Sequence, residues 1–166
     1  TELLPVGLVA SALFAVFWQE NGFQSSDFPG MLPIYATFCL SFLGVPFVIP
    51  ETLARRWRAR LAPWMTSALA GPMFFYPLYR VTVFGWGRAW IGLLPILMAG
   101  LSVVALAGVS RRFVWAPGQD QEEAVHLRLR ALALFGSVAL GFVALALPLQ
   151  VNRQWITVGW ALEALA

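Results

Sequence analysis

Six stretches of this chain are almost wholly apolar, and the connections between them hold nearly all of its charge. They cover residues 3–18, 31–49, 61–79, 91–109, 131–149 and 155–166. The first five carry no charged side chain at all. The second to the fifth, 19 residues each, are long enough for a helix to cross the hydrocarbon core, about 20 residues. The first is shorter, and its beginning reads as missing. The composition supports a lipid solvent. The chain of 166 residues is 60% hydrophobic and only 11% charged, against about 25% charged in soluble domains. A small soluble fold could not bury so much apolar surface in one core. The expected architecture is therefore all-α: a single domain over residues 1–166, with five full transmembrane spans and a truncated sixth.

The prolines qualify this pattern. Pro46 lies within the second span and should free the carbonyl of Phe42. Pro63 suits a first helical turn. Pro72 and Pro77 predict a bent or irregular second half for the third span. Such breaks are tolerated in a membrane only where neighbours satisfy the freed backbone groups. Residues 80–90 follow with Arg80, Trp86, Arg88 and Trp90, a mixture of cations and indoles typical of the interface. Near Asp120, an N-cap with Glu123 three places on predicts that the fifth helix starts in water, before the membrane. Ser137 and Gly141, four apart, form a small-residue pair that permits close helix contact.

Arginine sets the expected topology. All basic residues are Arg, which coding bias explains as readily as function does. Arg55, Arg56, Arg58, Arg60, Arg111, Arg112, Arg128 and Arg130 fall on one side, and Arg80, Arg88 and Arg153 on the other, eight against three. The positive-inside rule makes loops 50–60 and 110–130 cytoplasmic. With basic residues confined to short loops, the net charge of +3 is read as topology and not as nucleic-acid binding. The partners expected are membrane lipids and the remaining helices of a longer protein.

A repeat is also legible. Leu3-Leu4-Pro5 matches Leu93-Leu94-Pro95, and Pro50-x4-Arg55-x-Trp57 matches Pro148-x4-Arg153-x-Trp155. Trp64 and Trp160 then open similar runs. Two readings stand: two inverted three-helix units, as in many secondary transporters, or chance similarity among helices rich in Leu, Ala and Trp.

Residues able to carry chemistry are few. The chain has one His, one Cys and none of the common catalytic or phosphate-binding motifs. No catalytic residue, cofactor or metal site is assigned, and the expectation is a non-enzyme. His126, with Glu122 and Glu123, is underfilled for zinc and reads as solvated. Glu163 is the sole charge inside an apolar stretch, about 12 Å along its helix from Trp155 at about 1.5 Å per residue. A carboxyl at that depth is costly. It reads either as an ion or proton site, with Arg80 as its nearest candidate cation, or as a protonated structural hydrogen-bonding group. Trp57, Trp86, Trp90, Arg153 and Trp155 read as interfacial anchors.

The run Pro148-Leu149-Gln150…Arg153-Gln154-Trp155-Ile156-Thr157…Trp160-Ala161-Leu162-Glu163 resembles a family of large, many-helix bacterial membrane proteins known as a domain of unknown function. Ala62-Pro63-Trp64…Ala70-Gly71-Pro72…Tyr79-Arg80 is similar to the same family. The Trp-x-Thr-x-x-Trp-Ala-Leu-Glu segment is its most specific part, and the first 30 residues match no pattern in it. The resemblance implies an integral protein of the bacterial inner membrane, several times longer than this chain, and supplies no catalytic residues. Three functions follow for testing: a structural or accessory envelope protein; a transporter or lipid and envelope-precursor flippase using Glu163; and, least supported, an enzyme acting on lipid-linked substrates.

Overall fold

Long apolar runs without two-residue alternation bury their backbone polar groups best as helices, because lipid offers those groups no partner. The computed structural model describes residues 3–22, 27–48, 61–87, 91–112 and 121–150. Among these the chain is all-α, with five helices: α1 Leu3–Asn21, α2 Phe28–Val48, α3 Leu61–Trp86, α4 Leu93–Arg112 and α5 Gln121–Gln150. Four segments are long and apolar enough to cross a membrane: Leu3–Asn21, Gly30–Val48, Leu93–Arg111 and Ala124–Ala146.

The third helix is not one of those four, and its packing explains why. α3 touches all four of the others, so much of its surface meets protein. Trp64, Ala68, Ala70, Phe74, Leu78 and Val81 are buried along it, as are Thr66, Ser67 and Thr82. A helix shielded by its neighbours need not be as lipophilic as one that faces acyl chains.

α3 also runs further than its sequence suggests. It continues through Pro72 and Pro77 to Trp86, so Arg80 lies inside the helix and not in a connection beyond it. The helix stops at Gly87, whose φ of 77° is the left-handed conformation that closes helices. The Gly87 N–H donates to the Val83 carbonyl at 3.1 Å.

Helices consecutive in the chain are antiparallel, and contacts fix their register. Gly7, early in α1, lies against Phe42, late in α2. The Tyr35 hydroxyl, early in α2, donates to the Ala15 carbonyl at 3.4 Å, late in α1. Arg128 of α5 donates to the Ser110 carbonyl of α4 at 3.1 Å. The bundle therefore has two ends: one where α1 gives way to α2 and α3 to α4, the other where α2 leads to α3 and α4 to α5.

The second end is closed by aromatic packing. Trp64 is fully buried there with Ala68, Ala105, Val109, Ala131 and Phe135. Phe47 meets Trp64 edge-on at 5.7 Å and Phe135 at 6.5 Å between ring centroids. This packing needs a glycine: a Cβ on Gly108 would lie 2.9 Å from the Phe47 ring. Ser67 donates to the Leu43 carbonyl, one residue on from the Phe42 carbonyl that Pro46 deprives of its usual donor. Thr66, Thr82 and Ser102 each donate to the carbonyl four residues back. The buried hydroxyls are thus satisfied without water.

One expectation changes. Ser137 and Gly141 point outward, with open space beside Gly141. The reason is the face α5 presents to the bundle: Ala131, Phe135, Ala139, Phe142 and Ala146 are its buried residues. The close approach of α3 and α5 is at Gly71, 3.1 Å from the Phe142 ring by its Cβ position. The sixth span, at 155–166, lies outside the described residues.

Candidate functional site

One polar node stands out at the α1–α2 end, built from the last turn of α1 and the second half of α3. Gln19 and Glu20 are consecutive on α1. Tyr76 and Arg80 are four apart on α3, hence on one face. Arg80 Nη1 lies 3.2 Å from Glu20 Oε1. The Tyr76 hydroxyl donates to the same oxygen at 2.9 Å, and Arg80 Nη1 donates to the Tyr76 oxygen at 3.1 Å. The guanidinium sits 5.9 Å from the Tyr76 ring centroid and 5.2 Å from that of Phe84, so both rings offer it their negative faces. Arg80 Nε has no hydrogen-bond partner among the described residues.

Gln19 completes the node from inside. It is buried, and its Nε2 donates to the Pro77 carbonyl at 2.8 Å. Its Oε1 has no hydrogen-bond partner among the described residues. Two successive side chains of α1 therefore tie it to α3, one through an amide and one through charge.

Arg80 is the one candidate of the sequence reading whose side-chain partners can be described, and its partner is Glu20. Glu163, Trp57, Trp90, Arg153 and Trp155 lie outside the described residues. Trp86 is the last residue of α3. His126 and Glu122 are exposed near the start of α5. Among the described residues no three His, Cys, Asp or Glu side chains cluster as metal ligands.

The sequence reading missed the Glu20 contact because it placed Glu20 in a connection. One signal was available: Tyr76 and Arg80 share a face, so a carboxylate at the same depth on a neighbouring helix was to be sought.

Two apolar clefts flank the first half of α2. Between α1 and α2 lies one of about 550 Å³, lined by Ala15, Trp18, Tyr35 and Phe38 among others, with Phe74 of α3 at its floor. Between α2 and α4 lies one of about 660 Å³, walled largely by leucines and including Cys39 and Thr82. Both reflect splaying of the bundle at this end, where α2 contacts α1 and α4 little and α3 extensively. Chemically, the node is a neutral, aromatic-backed ion pair, and the clefts are apolar. No protein-family model, curated protein or solved structure matches the chain.

Proposed function

We propose that this chain is a membrane-embedded helical module with a structural or accessory role, without catalytic activity of its own, in the inner membrane of a bacterium. The observation that carries the reading is the bundle's treatment of polar groups. Its buried hydroxyls are bonded to backbone carbonyls, and Arg80 is paired at one end of the bundle. Transport sites for ions and polar solutes instead set ionisable groups along an interior or water-filled path. The resemblance of the 148–163 segment to large bacterial membrane proteins of unknown function belongs to the same reading, as does an orientation with loops 50–60 and 110–130 in the cytoplasm. Arg111, Arg128 and Arg130 share the α4–α5 end, opposite Arg80, and this supports that orientation.

Proteoliposomes holding the full-length protein test the proposal. Proton and cation flux, followed with pH- and potential-sensitive dyes, should equal that of empty vesicles, and Glu163→Gln and Arg80→Gln should change nothing. Flux that Glu163→Gln abolishes would establish a transporter instead. The second reading, a flippase for lipids or envelope precursors, is favoured by the two lateral apolar clefts. Accelerated loss of fluorescent lipid to external dithionite, relative to empty vesicles, would select it.

A further inference from the structure

The geometry points to the cleft between α2 and α4 as a binding site for one acyl chain of a membrane lipid, held in the leaflet on the α1–α2 side. The inference rests on the membrane reading above and adds a ligand to it. Along α2 the wall runs from Leu32 to Leu40, and along α4 from Leu93 to Leu101. Each wall rises eight residue steps, about 12 Å at about 1.5 Å per residue. Leu93 is the first residue of α4, and Leu32 lies four residues into α2. The cleft therefore starts near the helix ends and reaches inward by close to half of the hydrocarbon core, about 15 Å. That is the depth of one leaflet.

The chemistry of the walls selects the occupant. Leu78 and Thr82 of α3 form the floor, and the Thr82 hydroxyl is already bonded to the Leu78 carbonyl. Water needs two or more polar partners to settle in a cavity, and these walls do not supply them. The rims, Leu40, Leu93 and Leu97, are exposed, and Ile96 is exposed beside Leu93 and Leu97 on the outward face of the same helix. Both flanking helices are long and apolar enough to span, so the cleft opens sideways into hydrocarbon. An acyl chain in it replaces contacts that a splayed bundle lacks. In lipid, contacts of this kind are the main source of association.

The test uses full-length protein in vesicles containing phosphatidylglycerol with a diazirine midway along one acyl chain. After photolysis, adducts should concentrate on the peptides holding Cys39 and Leu40, and Leu97 and Met98. Ala36→Phe and, separately, Leu97→Trp fill the cleft. Each should lower that labelling about tenfold, equivalent to about 1.4 kcal/mol of lost acyl contact. Val104→Trp, on the outward face of α4, should leave it unchanged. SDS titration of each variant separates a filled cleft from a misfolded chain. Labelling spread evenly over outward residues such as Val104 and Leu140, or unaltered in both filled variants, overturns the proposal. So does a cross-link from photo-methionine at position 98 to another protein segment, which would make that segment the occupant. Release of the protein by alkaline carbonate would defeat the membrane reading itself and is scored separately.

Discussion

Gly108 and Gly100 lie two turns apart on α4, and the same substitution at each should have opposite effects. A Cβ at Gly108 would stand 2.9 and 3.2 Å from two atoms of the Phe47 ring. That ring cannot simply retreat, because Trp64 meets it edge-on at 5.7 Å and Phe135 lies at 6.5 Å. Overpacking of a filled site costs about 1–3 kcal/mol. Alanine also gains about 1 kcal/mol over glycine inside a helix. Gly108→Ala should therefore lose about 0–2 kcal/mol. At Gly100 a Cβ meets nothing within 4 Å, so Gly100→Ala should gain up to about 1 kcal/mol. The propensity gain is common to both sites. The gap between the variants thus isolates the clash with Phe47, about 1–3 kcal/mol. SDS titration in mixed micelles, read by near-ultraviolet circular dichroism of the aromatic packing, measures it. Adding Phe47→Leu to Gly108→Ala should recover part of the loss. If Gly108→Ala proved as stable as Gly100→Ala, the closed aromatic end described above would be wrong.

Three further outcomes follow from the same contacts. Glu20→Gln should cost no more than about 1 kcal/mol in that titration, because the Glu20–Arg80 pair is partly exposed. Ser67→Ala removes the bond to the Leu43 carbonyl between α2 and α3 and should cost about 0.6 kcal/mol, the average for interhelical bonds in a membrane. Gly87→Ala must hold a left-handed backbone with a Cβ present; it should cost about 1–2 kcal/mol and fray the last turn of α3, seen as faster amide exchange at Gly87, whose N–H bonds to the Val83 carbonyl.

The helices were largely legible in the sequence because an apolar run in lipid has few alternatives to a helix. The capping reading near Asp120 predicted a helix that starts ahead of its apolar run, and α5 is already helical at Gln121, ten residues before Ala131. The end of α3 was misread for a physical reason. Pro72, Pro77 and Arg80 each argue against a continuing helix when taken alone. This half of the helix is held by groups on α1 that lie about 60 residues away in the chain: Gln19 donates to the Pro77 carbonyl and Glu20 pairs with Arg80. Local pattern contains no record of those partners. Trp64 illustrates the same limit. In sequence it looks like a repeat marker, and only the positions of Phe47, Val109 and Phe135 make it the centre of a packed cluster. The clefts were illegible too, since they arise from how far α2 splays from α1 and α4.

The central claim is that these helices cross a membrane around a protein-shielded α3. Spin-label accessibility tests it most directly. In a Cys39→Ala background, nitroxides would be placed at Leu13 of α1 and Val104 of α4, which are 64% and 69% exposed on the outside of the bundle and near the middle of their helices. In vesicles of the full-length protein both labels should relax strongly with oxygen and hardly at all with a water-soluble nickel chelate. Strong relaxation by the nickel chelate at either position would put that helix in water and contradict the account.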